Sequence, residues 1–487
     1  MTPHELVMQH YRLPFTMRPF QVDDVNDLAP RRGTGLYLEP GLGKTVVATT
    51  VALYKLITGE VDQTLAIVPP FLVAQWARWL SRIEPIDKPP LRVSRYQGTP
   101  AQRKTVPLNV DFLLMGIQIF RKDFCVRIPI PGGGVMWEGR SPVPGVRLHT
   151  ILDEGHAIKD VGSGIYHCYR DLVEGQSHQI LTGTPLNVPE DGYAYINLVA
   201  PGTYRNLLHF NQTHVVAVDN FKKPCEYQNL DLLHDNMRIN AVRRTKEEVL
   251  QDLPECIVTD IEYELDQRHY DLYRKLATNK LLELKDGEKL DATQVNVLYH
   301  ALGQIVCQWH HFGQDDKLKS RIYELIGGVL EELGDKKLIV FSNYQRTNEA
   351  VTRYFKCEGI WGQVSPKQKQ CALDRFLDDP KCRIIAMHPR SAGEGVDGCQ
   401  HVCQDVLYAE PPITPSHFVQ SLSRVHREGQ TRSVTVRLGV ARGTMQRHLV
   451  NLLTEKEALV MPIQGSAVML SPEDVRRIVF GGVPNDE

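Results

Sequence analysis

No stretch of the 487 residues approaches the roughly 18 consecutive apolar residues that a membrane-spanning helix needs. The opening residues, MTPHELVMQHYRLPF, lack the apolar core of a secretory signal. These two absences lead to the expectation of a cytoplasmic chain. Paired cysteine spacing is missing as well: the ten cysteines are scattered, which in a reducing compartment reads as free thiols rather than a disulfide framework. Cys382, Cys399, His401 and Cys403 could be drawn as a zinc site, but positions i, i+2 and i+4 do not reproduce a zinc knuckle, and structural thiols are the reading kept. An excess of one charge is also lacking. With 56 Lys+Arg against 58 Asp+Glu the net charge is -2, so any nucleic-acid binding has to come from local basic surface rather than a global field. No internal repeat is visible.

What is present is an ordinary globular composition, 42% hydrophobic and 23% charged, on a chain long enough for two domains of roughly 200 residues each. Apolar runs bounded by turn residues recur at Thr64–Pro69, Phe112–Gly116, Leu148–Leu152, Gln179–Leu181, Leu338–Phe341 and Arg383–Met387, each in the manner of a buried parallel strand. Helical patterns lie between several of them, at Val46–Ile57, Leu72–Leu80, Asn348–Phe355 and Lys367–Leu377. Alternating strand and helix predicts an α/β protein with doubly wound parallel sheets, twice over. Gln267–Gly334 carries long helical stretches and no convincing strand, so the expected division is a first lobe over 1–260, a helical linker over 261–334 and a second lobe over 335–487. Within the first lobe, Ile128–Gly145 is rich in Pro and Gly and reads as an exposed hairpin or loop.

The chemistry concentrates at LEPGLGKT, Leu38 to Thr45, which follows the short strand GLYL and opens a helix, the context that a phosphate loop requires. Gly41 and Gly43 let the backbone turn so that amide N–H groups face phosphate, Lys44 can reach the β- and γ-phosphates, and the Thr45 hydroxyl suits Mg²⁺. The strict pattern has Gly where Leu38 stands. About a hundred residues later the run HTIL delivers Asp153 and Glu154 at its carboxyl end, where ligands bind in open α/β sheets. Asp153 can hold Mg²⁺ and Glu154 can polarise an attacking water. Upstream, Arg18-Pro-Phe-Gln21 offers a Gln carboxamide able to pair with adenine N6 and N7.

Taken in order, these residues resemble the superfamily-two helicase-like ATPases, and further blocks narrow the likeness to the Swi/Snf-type DNA translocase branch. VRRTKEEVLQDLP at Val242–Pro254 and QSLSRVHREGQ at Gln420–Gln430 are similar to signatures of that branch, and LTGTPLN (Leu181–Asn187), LIVFSNYQ (Leu338–Gln345) and SAGEGVD (Ser391–Asp397) fill the remaining positions. The likeness covers about Arg18 to Met445. It implies two RecA-like lobes, ATP with Mg²⁺, and DNA as partner, duplex more than single-stranded and RNA less so, with an unknown protein partner open. Arg424 and Arg427, three residues apart and so expected on one helix face, are implied arginine fingers across an interlobe cleft. Gly395 and Asp397 are implied to form a turn lining it.

Nucleic-acid contacts implied by the family fall at Pro69, Gln75, Gly116, Ser342, Gln345, Arg390 and Ser391, where backbone amides and polar side chains suit phosphate. Trp76 and Trp79, in phase with Leu72, Val73 and Leu80, read as core packing rather than stacking platforms. Leu38, Pro40, Gly155 and Asp397 depart from the branch's usual residues, while Lys44, Glu154 and both arginines stand as the family has them. The chain resembles a minimal bacterial or bacteriophage member. Translocation on duplex DNA is the expectation, with a strand-separating helicase and an ATP-gated clamp without turnover as alternatives.

Overall fold

The computed structural model describes residues 1–450 apart from 132, 187, 219–223, 251, 280, 284–288, 292–294, 309–319, 394, 395, 413, 414 and 448. Two compact units divide the chain between residues 251 and 252.

The first unit is built on a seven-stranded sheet. Its strands are β1 (Gly33–Leu38), β2 (Gln63–Val68), β3 (Val93–Tyr96), β4 (Phe112–Gly116), β5 (Leu148–Asp153), β6 (Ser177–Leu181) and β7 (Ala241–Arg244). The order is β7-β1-β6-β5-β2-β4-β3 with every pairing parallel. The five inner strands are buried on both sides, which is why they read as apolar runs rather than alternating ones, while the edge strands β3 (VSRY) and β7 (AVRR) are partly exposed and carry polar residues. One face packs Leu65, Ile67, Leu113, Leu152 and Ile180 against helices α4 (Ile117–Asp123), α5 (Gly164–Val173) and α6 (Asp191–Val199). The other face is covered by α2 (Lys44–Ile57), which contacts β1, β2, β5 and β6, while α3 (Val73–Leu80) lies on β3 and β4 and α1 (Pro19–Leu28) packs on α2.

The proline- and glycine-rich stretch is a hairpin, Cys125–Pro129 paired antiparallel with Val135–Gly139. It packs along α5: a Cβ added to Gly164 would meet the Trp137 ring, and one added to Gly139 would meet the Cys168 backbone. Gly133 and Gly134 turn its tip at φ 98° and 106°, a conformation that glycine adopts without penalty.

In the second unit a six-stranded parallel sheet has the order β8-β13-β12-β9-β11-β10, with β8 (Cys256–Tyr263), β9 (Lys337–Phe341), β10 (Glu358–Ile360), β11 (Ile384–Met387), β12 (Cys403–Tyr408) and β13 (Val434–Ala441). Alternate residues face opposite sides. Ile339, Phe341, Ile385 and Met387 meet α11 (Pro366–Asp378) and α12 (Pro415–Leu422); Leu338, Val340, Ile384 and Ala386 meet α9 (Arg321–Leu333) and α10 (Gln345–Phe355).

Two expectations are corrected here. The break falls at 251/252 rather than 260 because β8 runs in eight-residue parallel register with β13 and so belongs to the second sheet. The stretch expected to hold helices alone contains α7 (Gln267–Asn279), α8 (Val295–Gln308) and α9, but also a short antiparallel pair, Leu281–Glu283 with Lys289–Asp291. Helices α7 and α8 share a cluster with Ala441, Met445 and Leu449, and α9 covers one face of the second sheet. Among the described residues no helix is long and apolar enough to cross a membrane.

Candidate functional site

Register places the first-unit motifs at one level. Leu181 is the cross-strand partner of both Leu36 and Asp153, so β1, β6 and β5 end side by side at the sheet's carboxyl edge. From there the loop turns on Gly41 at φ 96° and Gly43 at φ 84°, left-handed values that a side chain resists. Gly43 N-caps α2, whose first residues are Lys44 and Thr45. The N–H groups at a helix start, preceded by a glycine turn, are a ready anion cradle. Lys44 Nζ donates to the Leu38 carbonyl at 2.9 Å, which bends the ammonium back over the loop.

Asp153 closes β5 and is buried, 6% exposed. Its Oδ1 accepts the Glu154 N–H at 3.0 Å and its Oδ2 accepts the Trp76 indole N–H at 3.0 Å. Burial, and then the neighbouring Glu154 charge, push Asp153 up to about 6, against the opposing pull of Trp76 and Lys44. Glu154 itself sits at φ 57°, ψ 59°, a left-handed conformation that is strained for a residue with a side chain and that concentrates at functional sites. Its Oε2 lies 3.4 Å from His156 Nδ1. A hydroxyl on Thr45 and a carboxylate on Asp153 form the hard oxygen donor set that suits Mg²⁺, a cation that keeps several waters and needs few protein ligands. The residues present therefore fit that ion.

Three parts of the surroundings were marked in the sequence only as motif blocks or departures, without their contacts. A Cβ on Gly183 would stand 2.9 Å from Pro40 Cδ, so the TGT turn rests directly on the phosphate loop. The basic pair of the VRRTKEEV block becomes the edge strand β7 beside β1: Arg243 donates to the Tyr37 carbonyl at 3.0 Å, Arg244 pairs with the buried Asp24 at 2.8 Å, and Glu39 accepts the Lys246 N–H at 3.0 Å. The signal was the adjacent RR, but its partners lie some two hundred residues away. Gly155 is the third: a Cβ there would come within 2.5 Å of Ile180 Cγ2 and 3.4 Å of Tyr195 Cε1, which explains glycine at this position.

Gln21 is 5% exposed and its carboxamide is engaged inside the chain. Its Oε1 accepts the Arg18 N–H at 2.9 Å and its Nε2 donates to the Leu42 carbonyl at 3.0 Å. In this structure it props the loop between Arg18 and Gly43.

Of the nucleic-acid candidates in the first unit, Pro69 follows β2 and Gly116 ends β4, with Val68 and Gly116 in register, so the two turns adjoin at the same edge. Gln75 is exposed on α3. In the second unit Ser342 follows β9 and accepts its place inside the core: it is 1% exposed, its hydroxyl donates to Glu410 at 2.9 Å and its N–H to the Met387 carbonyl at 3.1 Å. Gln345 donates to Glu349 and Gln363, each at 2.7 Å. Arg390 is exposed and Ser391 buried on the short helix Pro389–Gly393 after β11.

The one-face placement of Arg424 and Arg427 is corrected. Helix α12 ends at Leu422, and both arginines stand in the turn that follows. The turn is held by Gln430, whose Nε2 donates to the carbonyls of Cys403 and Val425, and by Gly429 at φ 90°. Arg427 donates to Asp397 at 2.8 Å, and the same Asp397 oxygen accepts the Gly398 N–H at 2.9 Å. Gly395, and Asn187 of the LTGTPLN block, lie outside the described residues. Cys399 and Cys403 are buried in the core of the second sheet, where burial pushes the Cys399 thiol up to about 12, and Cys382 packs at its margin. Among the described residues no group of three His, Cys, Asp or Glu could hold a metal.

Residues 29–311 match the SNF2-related domain and residues 318–429 the helicase conserved C-terminal domain. The chain is 25% identical over 435 residues to an uncharacterized ATP-dependent helicase of Mycoplasma pneumoniae, covering 87% of this chain and 39% of that protein. It is 24% identical over 441 residues to the SWI/SNF chromatin-remodeling complex subunit snf22 of Schizosaccharomyces pombe, covering 82% and 25%. The chain thus spans well under half the length of these relatives. A Sulfolobus solfataricus SWI2/SNF2 ATPase core, solved in complex with dsDNA, aligns over 96% of this chain and 98% of its own at 21% identity and a TM-score of 0.43. Since the SNF2-related match takes in more than half of the 487 residues and the helicase C-terminal match continues it as far as Gly429, the chain belongs to the SNF2-related family.

Proposed function

We propose that the chain is an ATP-hydrolysing motor that moves along duplex DNA. The observation that carries this reading is the common level of the phosphate loop, Asp153 and Glu154 at the carboxyl edge of one sheet. Lys44 and the N–H groups at the start of α2 bind the phosphates. Thr45 and Asp153 hold Mg²⁺, which when bound neutralises charge on the β- and γ-phosphates. Glu154, which follows the buried Asp153 in a left-handed backbone conformation, takes the proton of the attacking water. Arg424 and Arg427 are assigned to γ-phosphate charge, as the family's last motif implies.

Support for DNA comes from the relatives, one called an ATP-dependent helicase and another a chromatin-remodeling subunit, and from the turns at Pro69 and Gly116 that adjoin on the nucleotide-binding edge. A motor that passes any sequence needs contacts to backbone rather than bases. Strand separation is the second reading, favoured by the hairpin Cys125–Gly139, whose tip leaves Ile130 and Met136 exposed as an apolar wedge could be.

Lys44→Ala and Glu154→Gln are expected to abolish phosphate release; undiminished release by either sinks the site assignment. Triplex displacement and fork unwinding, run side by side at one fixed salt concentration, choose between the readings. Displacement without unwinding supports the translocase, and unwinding without displacement supports the helicase.

A further inference from the structure

Helix α3 presents opposite chemistry on its two sides. Val73, Trp76 and Leu80 are buried, and Gln75 and Arg78, with Arg82 just past the helix end, are exposed at i, i+3 and i+7 on the far side. Trp76 is 1% exposed, far from what a nucleic-acid stacking platform needs, and its indole N–H is spent on one atom, Asp153 Oδ2, at 3.0 Å. Trp79 stands at the boundary between the two sides and makes a parallel contact: its indole donates to Thr49 Oγ1 at 3.1 Å, and that hydroxyl donates to the Thr45 carbonyl at 2.7 Å. One helix therefore reaches, through two indoles, both elements that carry the oxygen ligands for Mg²⁺.

The bond to Asp153 has a geometric consequence. With the Glu154 N–H on Oδ1 and the indole on Oδ2, the carboxylate is fixed about its terminal torsion, which in a free Asp is broad. Fixed outer partners of this kind orient metal-binding side chains, and losing one costs about 10–100-fold in metal affinity. A phenylalanine would fill most of the same space without the N–H.

We propose that Trp76 is a positioning residue for hydrolysis, through which nucleic acid seated on the outer side of α3 sets the Asp153 carboxylate. This rests on the motor reading above, but its first test does not. In the full chain without DNA, ADP binding is measured by calorimetry at a series of Mg²⁺ concentrations for wild type and Trp76→Phe. The half-saturating Mg²⁺ is expected to rise roughly tenfold in the variant, with ADP affinity in EDTA unchanged. A Mg²⁺ curve superimposable on the wild type's overturns the proposal, as does an equal loss with and without Mg²⁺, which a general structural defect produces.

The second measurement is the ratio of phosphate release with and without duplex DNA. It is expected to fall in Trp76→Phe while duplex affinity stays at the wild-type value; an unchanged ratio overturns transmission through α3. Should duplex DNA fail to stimulate the wild type at all, the motor reading fails, and the Mg²⁺ titration still decides the role of Trp76. Should Trp76→Phe not fold, the wild type answers instead. The Trp76 indole N–H resonance, in protein labelled with ¹⁵N-tryptophan and identified with Phe variants of the other tryptophans, is expected to shift when Mg²⁺ is added to the ADP-bound chain. A resonance that does not move overturns the proposal.

Discussion

Replacing Gly155 by alanine tests how tightly the hydrolytic turn is built. The added methyl would stand 2.5 Å from Ile180 Cγ2, against the 3.5–4 Å of an ordinary carbon contact, so something must move by about 1 Å. Overpacking of that kind costs about 1–3 kcal/mol. Gly155 has no positive φ, so alanine also removes unfolded-state freedom worth about 0.4–1 kcal/mol, which leaves a net loss of at most about 2.6 kcal/mol. Glu154 is the preceding residue, so the same displacement reaches its carboxylate, and a 1 Å misplacement is worth roughly 10²-fold in turnover. Ile180→Ala should relieve the clash. Alone it costs about 2–5 kcal/mol through the cavity, but combined with Gly155→Ala the two should couple favourably by about 1–2 kcal/mol and restore part of the turnover. Native-state hydrogen exchange in β6 peptides and phosphate release at saturating ATP provide the two readouts. Strict additivity in both, or a Gly155→Ala variant identical to wild type, refutes the reasoning.

Arg244→Leu strands Asp24, which is fully buried and already raised by burial, and should destabilise the first unit by about 3 kcal/mol, seen as faster exchange in β1 and β7; a loss under about 1 kcal/mol shows that Asp24 does not depend on this pair. Glu410, pushed up to about 7 by burial, is held by the Asn343 N–H, the Cys307 thiol and the Ser342 hydroxyl. Its folded value lies above the unfolded 4.5, so its stability contribution is complete at acid pH and is lost as pH rises from about 4.5 through 7, by about 3 kcal/mol in total. Glu410→Gln should flatten that limb in urea titrations run from pH 4 to 8, and a parallel pair of curves contradicts it. Asp397→Asn keeps an oxygen for the Gly398 N–H and loses the ion pair to Arg427, in which Asp397 is 69% exposed; the expected loss is below about 1 kcal/mol by thermal unfolding at low salt, and a larger one means the pair is not solvent-screened.

The central strands of the first sheet, and β9 and β11 of the second, were legible in the chain because strands covered on both faces must be apolar throughout, whereas β3, β7, β8, β10, β12 and β13 are interrupted by polar residues and were not legible as strands. LEPGLGKT and the Asp153-Glu154 pair were legible because their chemistry is local: glycines for the turn, a lysine for phosphate, carboxylates at a strand end. The HREGQ block was legible as a motif, though its helical reading failed where Gln430 and Gly429 hold a turn. Elsewhere the outcome depended on partners far apart in sequence. That Cys256–Tyr263 joins the second sheet as an edge strand follows from its backbone pairing with β13. That Gln21 spends its carboxamide on Leu42, that Ser342 turns inward to Glu410, and that a tryptophan 77 residues away holds Asp153 follow from which buried polar groups had to be satisfied once the chain had packed. Local pattern determined which residues carry the chemistry; only the tertiary structure decided what holds them still, because an unpaired polar group in a core is too costly to leave and its partner is chosen by space, not by sequence distance.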